Sequence, residues 1–203
     1  MADLNRVPTD IDSDSVEGAI KPSGSHSDGL HWVKTKNGDL LMPQPMSNDL
    51  HKVLLELCYQ PFHKKVQETY AQFLSSNDKV YQLDVHSMPS LGTVNHRDPG
   101  EARAEVVVSD QDGKSCDPRY TKLVYDCFSE AGFQVKLNWP YKGGGITQTY
   151  GQPNDGKHCV QVELNRSLYM DEKNKSKNAQ SFDAVQNKIA EAMENLFQGV
   201  SRF

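Results

Sequence analysis

Residues 80–89, VYQLDVHSMP, alternate apolar and polar positions in a way that is typical of a buried β-strand. The strand is predicted to stop at residues 84–87, because Pro89 has no N–H group to donate to a neighbouring strand. Ligands of open α/β sheets bind at the carboxyl ends of strands. His86 is therefore either a site residue or a core histidine near a strand end, and the pattern alone leaves both interpretations open.

Three earlier segments also show local patterns. Residues 10–29 are rich in Asp, Ser, Gly and Pro and predict a loop, either a surface segment or a lid over a site. Residues 30–42 predict a hairpin, since an Asn-Gly turn separates two apolar runs. A capped helix is predicted over residues 47–75, with a break or kink at Pro61. Its buried face is predicted to carry Leu50, Val53, Leu54 and Leu57.

The second half of the chain alternates strands with helices. Apolar runs between turn residues predict strands over residues 104–109, 133–137 and 158–164. Amphipathic patterns predict helices over residues 118–130 and 181–197. This alternation predicts an α/β sandwich around a mostly parallel sheet.

Composition and charge narrow the class of protein. The 203 residues are enough for one domain with its own core. A net charge of -5, without a Lys/Arg cluster, argues against a nucleic-acid partner. No apolar run approaches the roughly 20 residues that cross a bilayer, so no membrane association is expected. The four cysteines form no CxxC pair, which indicates free thiols in a cytoplasmic protein.

Polar residues that could carry chemistry lie at predicted strand ends in three places. These sets are Asn5-Arg6, Asp84-His86-Ser87 and Glu163-Asn165-Arg166. A neutral imidazole can ligate zinc, a carboxylate can act as a general base, and an arginine fork can hold a substrate carboxylate. Each set could instead form structural ion pairs, and the structural interpretation is favoured for Arg166. Their shared position at strand ends is what favours a site.

Residues 138–153 are predicted to form a glycine-rich loop. The three consecutive glycines at 143–145 lack the GK[ST] ending of a phosphate loop, and they favour close backbone approach beside a ligand. Tyr150 could swing over such a site, or it could be an ordinary loop tyrosine.

Eight segments, in order along nearly the whole chain, resemble the N-formylglutamate amidohydrolase family. They are DLNR, GLHWVKTKNGDLL, YQPFH, LDVHSMP, DQDGKSC, NWPYKGGGIT, TYGQP and QVELNRSLYMDE. The family is similar in architecture to zinc carboxypeptidases. The resemblance therefore implies a phosphorylase/hydrolase-like three-layer sandwich with a mixed, mostly parallel central sheet, formed as a single domain over residues 1–203.

The resemblance also implies roles for individual residues. LDVHS is similar to the strand with the family's third zinc ligand, which places that role on His86. VELN is similar to the strand with the catalytic glutamate, here Glu163. DLNR is similar to the pair that grips a substrate carboxylate, here Asn5 and Arg6, and Tyr150 loosely resembles a mobile substrate-binding tyrosine. The implied reaction is zinc-dependent hydrolysis of N-formyl-L-glutamate to formate and glutamate, a step of histidine degradation.

The sequence departs from the family pattern at its start. A histidine and an acidic zinc ligand precede the Asn-Arg motif in the family, whereas Asn5-Arg6 begins this chain. We therefore expect a family member that is shortened at its amino terminus. His96 or His158 could substitute as ligands, but neither is favoured. A missing strand would leave backbone groups unpaired, which is one route to a homo-oligomer.

Two alternatives to the deformylase stay open at this point. One is a shortened, catalytically silent domain that binds carboxylate ligands or a partner chain. The other keeps the hydrolytic chemistry but acts on another N-acyl amino acid or a short peptide, as a zinc-carboxypeptidase-like peptidase would.

Overall fold

The computed structural model describes residues 40, 46–94 and 96–203. The chain divides into two compact units, one of Met1–Val80 with Gly144–Ile146 and one of Tyr81–Gly143 with Thr147–Phe203. The single domain over residues 1–203 stays a prediction. The predicted loop at residues 10–29 lies outside the described residues, as does the hairpin at 30–42 apart from Leu40.

A long interrupted helix forms the described part of the first unit. Helix α1, Asn48–Leu54, leads through a π-helical turn, Leu55–Tyr59, into helix α2, Gln60–Leu74. The Ser47 hydroxyl accepts a hydrogen bond from the Leu50 backbone N–H at 3.2 Å and caps α1. Pro61 has no N–H group for the preceding turn, and the helix is π-helical just before it. The predicted break or kink thus corresponds to a π-helical turn before Pro61, and the chain stays helical from Asn48 to Leu74.

Most of the apolar face predicted for α1 and the π-helical turn is exposed rather than buried. Leu50, Val53 and Leu57 expose 48%, 47% and 70% of their surface, whereas the neighbouring His51 exposes only 3%. Helical spacing of apolar residues shows that they share one face, but it does not specify what packs against that face. The prediction of burial was wrong for these three residues.

The second unit contains a mixed four-stranded sheet. Its strands are β1, Val80–Met88; β2, Val106–Ser109; β3, Val135–Leu137; and β4, Lys157–Asn165. Strand β1 begins one residue before Tyr81, the first residue of this unit. They lie in the order β1-β4-β2-β3. Strand β2 is parallel to β3 and antiparallel to β4.

A small antiparallel pair, β5 (Met170–Asp171) and β6 (Ser176–Lys177), follows. The α/β class and the mixed sheet are confirmed.

Three helices lie in the second half of the chain. They are α3, Pro118–Glu130; α4, Gly145–Tyr150; and α5, Phe182–Val200. Helix α3 has the predicted bounds, because Asp117 caps its first turn by accepting a hydrogen bond from the Arg119 N–H at 2.9 Å and Pro118 suits the first helical position. Helix α4 was not predicted, since glycines lower the intrinsic helix propensity of the segment 138–153.

The core of the second unit lies between one face of the sheet and helices α3 and α5. Its buried members include Val106, Val108, Tyr120, Val124, Phe128, Val160, Val162, Val185, Ala192 and Leu196. Successive side chains of a strand point to opposite faces of the sheet. Ser109 of β2, together with Gln161 and Glu163 of β4, therefore faces away from this core.

The cysteines agree with the prediction of free thiols. Cys58, Cys116, Cys127 and Cys159 are free thiols, and all but Cys58 are buried. Burial raises the pKa of the Cys116 thiol to about 11. Among the described residues, no helix is both long enough and apolar enough to cross a membrane.

Candidate active site

Two of the predicted site residues lie on the same face of two neighbouring strands. Strand β1 is the neighbour of β4. Tyr81 and Leu83 of β1 pack against the core. Because side chains alternate along a strand, His86 lies on the opposite face, which is also the face of Glu163. We refer to this side of the sheet as the polar face.

His86 is paired with Asp84, which lies two residues earlier on the same side of β1. The His86 Nε2 and Asp84 Oδ2 atoms are 2.9 Å apart, and the two side chains are 34% and 16% exposed. A neutral imidazole that donates a hydrogen bond from Nε2 has its lone pair on Nδ1. That arrangement, with a carboxylate orienting the ring, is the one that metal-binding histidines commonly use.

Glu163 is a buried carboxylate on the polar face. It is 7% exposed, and its Oε1 accepts a hydrogen bond from Gln161 Nε2 at 3.1 Å. In the register of the sheet it lies opposite Val107 of β2, so it lies on a central strand rather than at an edge. Electrostatic interactions of such a carboxylate are stronger than in water, because the surroundings are less polar.

The described residues include the predicted zinc ligand His86 but do not complete a zinc site. Among them, no group of three or more His, Cys, Asp or Glu side chains could hold a metal ion. The His158 Nδ1 accepts a hydrogen bond from the Asp117 N–H at 3.0 Å, on the core side of β4, and its ring stacks on Tyr81. The His96 Nδ1 accepts a hydrogen bond from the Thr93 N–H at 2.9 Å. His158 therefore lies on the opposite face of the sheet from His86, and the Nδ1 of His96 already accepts a hydrogen bond.

A buried ion pair organises the loop between β1 and β2. The Arg103 guanidinium donates from Nε and Nη2 to the two carboxylate oxygens of Asp98, at 2.7 and 2.8 Å. Both side chains are 1% exposed. The hydrogen bond from Arg103 holds the pKa of Asp98 below its ordinary value and outweighs the opposing effect of burial.

Arg103 also connects this loop to two other segments. Its Nη1 donates to the backbone carbonyl of Pro89 at 3.2 Å and to the hydroxyl of Tyr141 at 3.0 Å. The contacts join segments 14 and 38 residues apart in sequence. Sequence reasoning missed them, and the only local signal was an aspartate and an arginine in a polar loop.

The start of the loop that carries Tyr141 is fixed by Asp110. One carboxylate oxygen of Asp110 accepts hydrogen bonds from Asn138 Nδ2 at 2.8 Å and from the Gly113 N–H at 2.9 Å. The Asp110 N–H donates in return to Asn138 Oδ1 at 3.0 Å. Asn138 has a φ of 54°, a conformation that asparagine adopts more readily than most residues.

Two side chains that follow β4 hold the end of β1 in place. Arg166 donates from Nε to the Ser87 hydroxyl at 3.2 Å and from Nη2 to the Ser87 carbonyl at 3.0 Å. The Glu172 carboxylate accepts hydrogen bonds from the Ser90 N–H at 3.1 Å and from the Ser90 hydroxyl. These contacts support the structural interpretation of Arg166, and they place the strand end that carries His86.

Of the remaining predicted site residues, the structure describes only Tyr150. Tyr150 is the last residue of α4 and is 5% exposed, so a swing over a ligand would require it to leave a buried position. Asn5 and Arg6 lie outside the described residues. The roles of all three stay predictions.

Comparison with known proteins identifies the family. The family model for N-formylglutamate amidohydrolase matches residues 1–170. The chain belongs to the N-formylglutamate amidohydrolase family. This confirms the resemblance carried by the sequence motifs, and the match includes the strands that hold His86 and Glu163.

Curated relatives of this amidohydrolase family member are bacterial proteins. The chain is 33% identical over 129 residues to an N-formylglutamate deformylase of Pseudomonas aeruginosa, a match that covers 63% of this chain and 47% of that protein. It is 29% identical over 147 residues to an N-formylglutamate deformylase of Pseudomonas putida, covering 71% and 54% of the two chains. The chain thus spans about half the length of the curated relatives it matches.

Solved structures share the fold of this family member. An N-formylglutamate amidohydrolase from Ralstonia eutropha JMP134 has a TM-score of 0.76 at 22% identity, over 94% of this chain and 72% of that one. A gene product of Agrobacterium tumefaciens has a TM-score of 0.60 at 19% identity, over 91% and 66% of the two chains. These similarities support the hydrolase-like fold.

Proposed function

We propose that this chain carries the hydrolytic centre of an N-formylglutamate deformylase, with Glu163 as its general base. The observation that carries the proposal is the placement of Glu163 and His86 on one face of neighbouring strands. The family membership and the names of the two Pseudomonas relatives support the substrate. The reaction would consume N-formyl-L-glutamate and water and release formate and glutamate, as a step of histidine degradation.

Glu163 would move the proton that the hydrolysis requires. Its carboxylate accepts a proton from a water molecule as the water oxygen attacks the formyl carbon. The same group then delivers the proton to the amide nitrogen as the carbon–nitrogen bond breaks. Formate keeps the attacking oxygen and the glutamate amine leaves, so no further reactant is needed. The hydrogen bond from Gln161 fixes the orientation of the carboxylate during both transfers.

The substrate would be held through its carboxylates and, we propose, with a metal ion nearby. Asn5 and Arg6 are the proposed carboxylate anchors, and Tyr150 is a proposed contact to the bound substrate. His86 would supply one zinc ligand, oriented by Asp84. Zinc in such a site lowers the pKa of a bound water and polarises a carbonyl group. The described residues do not complete the site.

His86→Ala is expected to abolish zinc retention. Wild-type protein dialysed against dilute zinc should hold about one ion per chain, and the variant less than about a tenth of that, since a histidine ligand is removed. Elemental analysis measures the metal, and formate release from N-formyl-L-glutamate measures turnover.

His96→Ala is the control for this experiment, because His96 was the alternative ligand and is bonded to Thr93 instead. It should retain zinc. Equal zinc content in wild type and His86→Ala would remove His86 from the metal site. A wild-type protein with neither zinc nor turnover would favour the silent carboxylate-binding domain.

A cytoplasmic location and a homo-oligomer are also proposals. Thiols stay reduced in a reducing compartment, so the four free cysteines support the cytoplasmic location. Size-exclusion chromatography with light scattering measures the oligomeric state.

A further inference from the structure

We propose that Tyr141 is a further functional residue of this site, whose hydroxyl donates a hydrogen bond to the oxygen of the formyl amide as negative charge develops there. Arg103, held by Asp98, is the positioning residue that aims the hydroxyl. This inference rests on the proposed deformylase function and assigns a role that the sequence motifs did not suggest.

Arg103 is itself held rigidly, and it fixes the position of Tyr141. Its Nε and Nη2 atoms donate to the two carboxylate oxygens of Asp98, and the side chains of Arg103 and Asp98 are each 1% exposed. The remaining guanidinium nitrogen, Nη1, is 3.0 Å from the Tyr141 hydroxyl oxygen. The guanidinium carbon also lies 5.1 Å from the centre of the Tyr141 ring. A bidentate pair with low exposure has little freedom to rotate, so the tyrosine hydroxyl is held at a fixed position.

The hydrogen bond from Arg103 sets the direction in which Tyr141 can donate. Arginine has no acceptor, so the tyrosine oxygen accepts in this contact and its own proton remains to be donated elsewhere. Burial raises the pKa of Tyr141, Arg103 opposes that effect, and the charge of Glu163 adds to it. The net pKa is raised, which keeps the hydroxyl protonated at neutral pH. Tyr141 is half-buried.

The backbone of Tyr141 lies on the same side of the sheet as the proposed general base. The Ser109 hydroxyl donates to the backbone carbonyl of Tyr141 at 2.9 Å. Ser109 is paired with Gln161 in the β2–β4 register, and both are on the polar face. The Ser109 contact brings the Tyr141 backbone to the part of the polar face that carries Gln161, whose side chain donates to Glu163. The Tyr141 hydroxyl is bonded to Arg103, whose backbone carbonyl accepts from Asn165 Nδ2 at 3.2 Å, two residues beyond Glu163 on β4.

The chemistry of the reaction gives that hydroxyl a target. A water activated by Glu163 attacks the formyl carbon, so the formyl oxygen lies within a few bond lengths of the carboxylate. That oxygen becomes negatively charged in the transition state, and a preorganised neutral donor stabilises it more than it stabilises the substrate. The hydroxyl keeps its proton throughout, so this step transfers no atom. Its loss should therefore lower kcat more than it raises KM.

Tyr141→Phe is the direct test. Removing the hydroxyl should lower kcat by about 100-fold, the typical loss for one oxyanion donor, while KM stays within about twofold. The thermal unfolding midpoint should fall by only a few degrees, because the ring is retained and Arg103 Nη1 keeps its bond to the Pro89 carbonyl after losing the hydroxyl as an acceptor. Tyr125→Phe is the matched control. Tyr125 is on α3, and its hydroxyl faces the Val135 carbonyl at 3.5 Å, so its removal should leave kcat unchanged.

Arg103→Lys tests the positioning role. Lysine keeps the charge but loses the planar fork, so kcat should fall in the wild-type background. The same substitution should have no further effect on kcat in Tyr141→Phe, because its effect passes through the hydroxyl. A second readout is the ¹³Cζ resonance of Tyr141, identified by its loss in Tyr141→Phe. It should shift when N-formyl-L-glutamate is added to the Glu163→Gln protein.

The outcomes separate this inference from the proposed function. If the wild type turns over substrate and Tyr141→Phe is equally active, this inference is overturned while the proposed function stands. A rise in KM at unchanged kcat would also overturn it, since the hydroxyl would then stabilise substrate and transition state equally. Absence of turnover in the wild type under every metal condition overturns the proposed function, and with it the role of Tyr141.

Discussion

Glu163→Gln is expected to lower kcat for N-formyl-L-glutamate by about 10²–10⁴-fold, the range for loss of a general base. Glutamine has the shape of glutamate but cannot take a proton from water. Its side-chain oxygen can still accept the hydrogen bond that Gln161 donates at 3.1 Å. The sheet should therefore fold as before, and the zinc content should be that of the wild type. Formate release, with elemental analysis of the same samples, measures both quantities.

The control for this variant is Glu105→Gln. Glu105 accepts a hydrogen bond from the backbone N–H of Gln134 at 2.7 Å, in an exposed contact at the start of β2. The same chemical change there should leave turnover unaltered. If Glu163→Gln turned over as fast as wild type while Glu105→Gln did too, Glu163 would have no part in the mechanism. The proton would then have to be taken by another group.

The parts of this fold that could be predicted from sequence are those set by neighbours along the chain. The alternating pattern before Pro89 predicted β1, and the amphipathic pattern over residues 118–130 predicted α3 with its bounds. The prediction of burial failed where burial depends on which other segment of the protein packs against a helix face. The apolar spacing from Leu50 onward predicted a buried face, but Leu57, in the π-helical turn after α1, is 70% exposed.

The candidate site was predictable only in its individual residues. His86 and Glu163 could be named because each sits on a strand within a recognisable motif. Their shared face follows from β1 and β4 being neighbours, and no local pattern gives that strand order. The Arg103 network was missed for the same reason, because its partners Pro89 and Tyr141 lie 14 and 38 residues away. Such contacts can be identified only in the folded structure, because they join residues that are distant in the sequence.

The same network makes Asp98 a large contributor to stability. Asp98→Asn should lower the free energy of unfolding by about 3–5 kcal/mol, because it leaves the buried Arg103 guanidinium without its counter-charge. Both side chains are 1% exposed, so water cannot replace the lost carboxylate. Urea unfolding followed by circular dichroism measures the change. Asp126→Asn is the control, since Asp126 pairs with Lys122 on the surface of α3 and its loss should leave the midpoint nearly unchanged.

The contribution of Asp98 should also depend on pH, with a definite sign. Arg103 holds the pKa of Asp98 in the folded protein below its ordinary value of 3.8. The unfolded chain therefore binds this proton at a higher pH than the folded chain does. The stabilisation is fully present above the ordinary pKa and is lost as the pH falls through the folded-state pKa. Wild-type protein should thus lose stability below about pH 4 more steeply than Asp98→Asn, which has no proton to bind at this position. Parallel curves for the two proteins would show that the pair contributes no net free energy, and Arg103 would then have to be held by its contacts with Pro89 and Tyr141 alone.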